Sequence, residues 1–525
     1  MCGILFYNRN NTSGGTKTIS EIFSVIKHRG PDSTSINFVD NLLFCHHRLA
    51  IINATGGEQP VIREHNGKKL VLIANGEIYN YRSFTKSLND CEAIIDCYLT
   101  NQLQNLDGDY AFLLYDQANQ LIITGRDPVG LKPLYIGFSQ NGMAIAFGSE
   151  MKVLAGIESV KYIKEHQINT FNRFYLDQSG TINFHDSCLS LNYNQPVLQQ
   201  TYEYAQEAIN HYLINAVKKR ITHTERPFAF LCSGGIDSVI VTSIAAHLGV
   251  PLHVFTLSLD SGQSYDEMHA DMFMEELIKR FNINPQTPQI KYTKVKFGIQ
   301  EGLNITEEVI KNLETYDPNT IRAAIPMYLL AKYIRTNTDY KVILSGEGSD
   351  ELFMGYNYFG IKNPTFDQAE KESLRLIQGL HSFDVLRAER CFSSHGLELR
   401  VPFLDRDLIN HVIRITGQYR LPIEGVEKKL LRDSFRNLGI SDRILNRQKE
   451  RMSDGVGGSW VPSIINYCVS QFGIESSGLS TEQRMKYEKE YYLGVYKKYY
   501  QFDTILFREL PSWAEDNQKD VNMLG

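Results

Sequence analysis

Three short stretches place reactive side chains beside groups that can use them. The first is FAFLCSGGIDSVIVTSIAAHLG, residues 228–249. An apolar run closes at Leu231 and Cys232. Ser233, Gly234 and Gly235 then make a tight turn whose backbone can approach a ligand closely. Asp237 and Ser238 open a helix, and free N–H groups at a helix N-terminus attract phosphate. The loop suits a di- or triphosphate, yet it is not a Walker loop, because no lysine follows the glycines. The second stretch is SGEGSDELFMGY, residues 345–356. It starts on Ser345 and Gly346 and carries Glu347, Asp350 and Glu351. Carboxylates such as Asp237 and Asp350 beside a phosphate cradle hold Mg²⁺ jointly with the phosphate oxygens. The third is MCGILFYN, where Cys2 directly follows Met1. On that stretch alone, Cys2 reads as a buried strand residue. Each of the other two loops, taken alone, reads as a turn with a helix cap.

The elements around these residues fall into two textures. Residues 1 to about 185 hold short strand-like runs (GILFYN, LLFCHHRLAII, KKLVLIANGEIY, DYAFLLYD, QLIITGRD) broken by turn signals,. Helical stretches are fewer, near 18–28 and 91–102. This predicts an α+β domain built on antiparallel sheets. From 201 the pattern alternates: helix 201–220, strand 227–232, helix 237–248, strand 251–259, helix 265–281, strand 291–297, helices 305–315 and 321–335, strand 341–345. Alternation predicts βαβ units and a parallel sheet, with ligands at the carboxyl ends of its strands. Beyond 360 the chain reads as mostly helical. The polar segment 180–200 places a boundary between domains at 1–190 and 200–525.

Bulk properties narrow the function classes. A chain of 525 residues is too long for one core,. A net charge of −6 without a basic block gives no electrostatic footprint for nucleic acid,. No apolar run is long enough to span a bilayer, and the first residues do not read as a signal peptide. The eight cysteines are scattered without a CxxC pair, which predicts buried thiols in a reducing, cytoplasmic setting rather than zinc or disulfides,.

SGGIDS resembles the phosphate loop of the PP-loop ATP pyrophosphatases. Together with ETYDPNTIRAAIPMYLL (314–330), LSGEGSDELFMGY (344–356), LELRVPFLD (397–405) and RQKERMSDGVG (447–457), it resembles the glutamine-hydrolysing asparagine synthetases. That resemblance implies an N-terminal nucleophile (Ntn) hydrolase domain, which performs glutamine hydrolysis, followed by an ATP-dependent synthetase domain. It gives MCGI a second meaning: with Met1 removed, Cys2 supplies both thiol and α-amine. An α-amine with a pKa near 7.7–8 can accept a proton at neutral pH, so one residue provides nucleophile and base.

The resemblance also assigns the supporting residues. Arg48 in HHRLAIIN holds the glutamine carboxylate. Asn75 and Gly76 in NGEIYN form the oxyanion hole, and Glu77 and Asp90 meet the substrate amine. In isolation, Asn75–Gly76 reads as a hairpin turn and Asp90 as a helix N-cap. In the synthetase domain Leu231, Ser233, Gly234, Gly235, Asp237, Ser238, Ser345 and Gly346 cradle ATP and pyrophosphate. Glu347 deprotonates the attacking ammonia and Lys449 neutralises phosphate charge. Asp384, Asp350 and Arg322 join Glu347 around aspartate and the β-aspartyl-AMP intermediate. Implied substrates are L-glutamine, L-aspartate and ATP with Mg²⁺, no nucleic acid and no membrane, and the implied assembly is a homodimer. An apolar tunnel carrying ammonia between the sites is also implied. Residues 260–297 depart from the family pattern and leave nucleotide contacts there open. The nearest alternative is a β-lactam-synthetase-like adenylating enzyme acting on another carboxylate. Retention of Cys2, Arg48, Asn75, Asp90 and Glu347 weighs against it. Outside enzymes, the alternative is a sensor of glutamine and ATP with dead sites, which intact motifs at both sites disfavour.

Overall fold

The strand Gly3–Asn8 is apolar and buried at every position, and it lies inside its sheet rather than at an edge. It pairs antiparallel with Leu42–Arg48 on one side and Ala144–Gly148 on the other. The computed structural model describes residues 1–9, 17–261, 264–281, 290–447, 452–502 and 510–514. Within these, twelve strands between Gly3 and Leu189 form one antiparallel sheet. The sheet folds over itself: Ile4, Phe6 and Phe44 of one arm share a core with Val71, Ile73 and Leu113 of the other. Its edge strand Ser33–Val39 alternates half-buried and exposed residues, as a strand with one solvated face should,.

The helix segments expected in this half are shorter than the periodicity suggests. The first is Ile19–Ser24 followed by a 3₁₀ turn, and the second is a 3₁₀ turn Asp90–Glu92 leading into Ala93–Leu99.

The helix Tyr202–Thr222 opens the second half, with the Thr201 side chain accepting from the Tyr204 N–H as its cap,. Five parallel strands follow in the spatial order Ile290–Phe297, Leu252–Leu259, Phe228–Leu231, Val342–Leu344, Glu398–Arg400. The chain winds outward in one direction from Phe228–Leu231 and in the other through Val342–Leu344. The switch point therefore lies between these two strands, where a doubly wound sheet binds its ligand. Both Gly-rich loops leave from there. The fifth strand, Glu398–Arg400, is absent from the sequence reading because three residues carry no periodicity. Among the described residues, no helix is long and apolar enough to cross a membrane.

One buried apolar cluster runs through both halves. Met1, Leu49, Ile51, Val129 and Leu131 pack in it with Met327, Leu399 and Val401.

Candidate active site

Cys2 sits at the head of the central strand Gly3–Asn8 and is half-buried. Its backbone N–H donates to Asn75 Oδ1 at 2.7 Å, and its carbonyl accepts from Arg29 Nε at 3.0 Å. Burial pushes the Cys2 thiol above its ordinary pKa, with the ammonium of Met1 pulling the other way. That ammonium lies 3.2 Å from Glu398 Oε2, a residue of the parallel sheet.

Asn75 and Gly76 are not a hairpin turn. Both lie inside the eleven-residue strand Lys68–Ile78. A side chain at Gly76 would meet the Asp109 carbonyl at 2.2 Å, so the strand's close approach requires glycine,. Asn75 Nδ2 is buried and donates to nothing. A buried amide donor without a partner is costly unless a ligand uses it. Asp90 is not the helix cap either: Asn89 is, and Asp90 Oδ2 accepts from the Ile78 N–H at 2.7 Å. Arg48 is buried and donates to the Ile52 and Asn53 carbonyls at 3.2 and 2.7 Å, which fixes it under the 52–57 loop.

His223, Arg400 and Glu398 of the second half enter this pocket, and the sequence pointed to none of them there. His223, which caps the helix Tyr202–Thr222, places Nε2 3.1 Å from Glu77 Oε2 and 3.6 Å from Asp90 Oδ2. Arg400 lies 3.4 Å from Glu77 and 2.8 Å from Glu398. Burial, then the Glu398 and Asp90 charges, raise the Glu77 carboxyl to about 7. Glu77, Asp90 and His223 could in principle ligate a metal. The Arg400 cation already against Glu77 disfavours one, and the cluster reads as an ion pair.

At the switch point of the parallel sheet lies a cavity of about 210 Å³. Leu231, Ser233, Gly235, Asp237, Ser238, Ser345, Gly346, Glu347, Asp350 and Asp384 all line it. Gly234 serves differently. It has φ +73°, and a Cβ there would meet the Ala270 nitrogen at 2.4 Å, so it seats the loop against the helix Tyr265–Phe281. Glu347 is gripped by Arg387, whose Nη2 lies 3.0 and 2.9 Å from its two carboxylate oxygens, while Nη1 reaches Asp384 at 2.5 Å. Asp237 and Asp350 converge on one cation, each 2.6 Å from Lys428 Nζ. Asp237 Oδ1 is buried with no hydrogen bond. That spare carboxylate oxygen, in a cavity beside the phosphate loop, fits Mg²⁺ held jointly with phosphate oxygens,.

Arg322 needs correcting. It does not line the cavity; its Nε donates to Glu488 Oε1 at 2.7 Å, and that buried carboxylate of the helix Thr481–Tyr499 fixes it elsewhere. Lys449 lies outside the described residues. Of the divergent segment, Asp266 lines the cavity. Sequence reasoning passed over Lys428, Arg387 and Arg447, all lining it. Arg387 was visible one helical turn after Asp384, where an i, i+3 pair meets.

Residues 1–195 match the family described as glutamine amidotransferase domain, and residues 208–371 and 361–476 match the one described as asparagine synthase. The class is thus an amidotransferase domain joined to a synthetase domain. Asparagine synthetase [glutamine-hydrolyzing] 3 of Arabidopsis thaliana is 32% identical, over 95% of this chain and 88% of its own. Asparagine synthetase [glutamine-hydrolyzing] of Homo sapiens is 33% identical, over 100% of this chain and 98% of its own. The chain belongs to the family of glutamine-hydrolysing asparagine synthetases.

Proposed function

We propose that the chain makes L-asparagine from L-aspartate and ATP, using ammonia that it releases from L-glutamine. The observation that carries the reading is Asn75: its oxygen accepts from the Cys2 backbone N–H at 2.7 Å while its amide nitrogen is buried and unpartnered.

With Met1 removed, the Cys2 thiolate attacks the side-chain amide carbon of glutamine. Arg48 takes the substrate carboxylate, and Glu77 with Asp90 takes its ammonium. Asn75 Nδ2 and the Gly76 N–H receive the developing oxyanion, each worth about 3–4 kcal/mol. The C–N bond breaks, the freed α-amine passes the thiol's proton to the leaving ammonia, and water hydrolyses the thioester to glutamate.

In the cavity, a β-carboxylate oxygen of aspartate attacks the α-phosphorus of ATP. The bond to the β-phosphate breaks, and pyrophosphate leaves along Ser233, Gly235 and Ser238. Asp237 and Asp350 would hold Mg²⁺, which neutralises phosphate charge when bound. Ammonia attacks the β-aspartyl-AMP carbonyl, Glu347 takes its proton, and AMP departs. Lys449 is proposed to meet phosphate charge. Neutral ammonia suits the apolar cluster of Leu49, Val129, Leu399 and Val401 that joins the two halves. The eight free thiols suit a reducing cytosol,.

The test measures AMP, pyrophosphate and asparagine together, in wild type with Met1 removal checked by mass and in Cys2→Ala. Wild type should form all three from glutamine, and Cys2→Ala only when ammonia is added. AMP without asparagine would instead mark an adenylating relative with another substrate.

A further inference from the structure

His223 belongs by sequence to the synthetase half, yet its ring lies in the glutaminase pocket. Tyr79 and Tyr81 hold it edge-on, with ring centres 5.3 and 5.4 Å away. Its carbonyl accepts from Arg400 Nη1 at 2.7 Å, which fixes the end of the helix Tyr202–Thr222. The ring nitrogen Nε2 thus stands between Glu77 and Asp90, at 3.1 and 3.6 Å, with all three side chains 7–8% exposed. The contact of His223 Nε2 with Glu77 Oε2 is an ion pair at 3.1 Å.

The position is the one proposed above for the α-ammonium of glutamine, and the inference rests on that reading. Two buried carboxylates without a cation are costly, and two cations between them are redundant. We propose that the His223 imidazolium is an internal stand-in for the substrate's α-ammonium, so that glutamine binds in exchange for a proton from His223. The synthetase half would thereby set the affinity of the glutaminase half.

The other charges around the ring do not compete for this role. Arg400 touches Glu77 at 3.4 Å but is held chiefly by Glu398 at 2.8 Å, and Arg220 is held by Asp405 at 2.8 Å and Asp109 at 3.3 Å. Tyr79 donates to Asp109 at 2.7 Å. Guanidinium groups keep their charge at every working pH, which leaves His223 and Glu77 to titrate. Burial works against the imidazolium, but Asp90 and Glu77 outweigh it and lift His223 to about 9. Glu77, at about 7, is ionised above neutrality. Between these values the free site holds an ionised Glu77 and a protonated His223.

Linkage then fixes the sign. A ligand that displaces a proton binds more tightly as pH rises toward the pKa of the group that loses it, by about tenfold per unit. The test uses calorimetry of glutamine binding to Cys2→Ala, which cannot turn over, in buffers of different ionisation enthalpy at pH 7.5 to 8.5. About one proton released per glutamine, and a Kd falling about tenfold across that unit, are expected. In Cys2→Ala with His223→Gln, proton release should vanish and Kd should be flat. A circular-dichroism melt and ammonia-dependent AMP formation report whether that variant is folded. If it is not, the proton count of Cys2→Ala alone decides. Glutamine binding without proton release, or the same slope in both proteins, overturns the inference. No glutamine binding to Cys2→Ala at any pH overturns the functional reading instead.

Discussion

The Arg400 carbonyl accepts a hydrogen bond at 3.1 Å from the N–H of Ser345, the first residue of the loop that carries Glu347. The same residue's guanidinium lies against Glu77 in the other pocket. One three-residue strand thus touches both reaction centres. Its side chain also donates to the Arg220 and His223 carbonyls at 2.6 and 2.7 Å. Arg400→Met would leave Glu77 and Glu398 buried without their common partner, and breaking such a pair costs about 3–5 kcal/mol. We expect a lower unfolding temperature, with both glutamine hydrolysis and ammonia-dependent AMP formation reduced. Arg400→Lys keeps the charge but loses the planar fork, and should recover only part of each. Thermal melts with the two partial reactions check this, and an unperturbed glutaminase in Arg400→Met would sink it.

A retained Met1 should silence the glutaminase while sparing the synthetase. In the full chain the Cys2 nitrogen is an amide that donates to Asn75, and an amide cannot accept the thiol's proton. The Met1 side chain is itself buried in the apolar cluster between the halves. Protein carrying an uncleavable residue ahead of Cys2 should lose glutamine-dependent asparagine formation by at least about 10²-fold, the lower range for a missing general base. Ammonia-dependent formation should persist. Mass-verified preparations with and without the extra residue, assayed with both nitrogen donors, decide the matter.

Much of this was legible in the sequence because the signals were local. SGGIDS and SGEGSDE each follow an apolar strand, and two such loops in one parallel sheet must meet at its switch point, as Asp237 and Asp350 do on Lys428. What was missed is long-range. Nothing near His223 hints at Glu77, 146 residues earlier by their numbers. Glu398 and Arg400 looked like part of a motif rather than a strand, because a strand of three residues has no period to read. Asn75–Gly76 has strong turn propensity taken alone, yet sits inside the strand that the run KKLVLIANGEIY predicts, where packing against Asp109 and Tyr110 overrides local preference,. Arg322 was assigned to the wrong neighbourhood because its partner, Glu488, lies on a helix that carries no motif.

Glu347→Gln should separate adenylation from amidation. The carboxylate lies in the cavity, held by Arg387 through both oxygens, so a glutamine can keep one of those contacts. It cannot take a proton from ammonia. Aspartate-dependent exchange of pyrophosphate into ATP should persist, while asparagine formation falls by about 10²–10⁴, the usual worth of a positioned base. Loss of exchange to the same degree would mean that Glu347 acts on the adenylate rather than on ammonia.

Acid should loosen the contact between the halves at Glu165. This carboxylate of the strand Tyr162–Glu165 lies 2.7 Å from Arg126 and 3.4 Å from His381 of the second half. Burial would raise its pKa, but His381 and then Arg126 outweigh burial and hold it at about 2, against an ordinary 4.5. A carboxylate depressed in the folded state binds fewer protons there than in the unfolded chain. Its contribution is therefore complete above about 4.5 and is lost as pH falls through about 2,. About a quarter of the Glu165 side chain faces solvent, so the contribution is discounted to about 2 kcal/mol. Urea unfolding of wild type and Glu165→Gln should differ by that amount at pH 6 and converge as pH falls below about 4. A gap that widens on acidification would show that Glu165 is not held as its charged form, and that the contact with His381 works by packing alone.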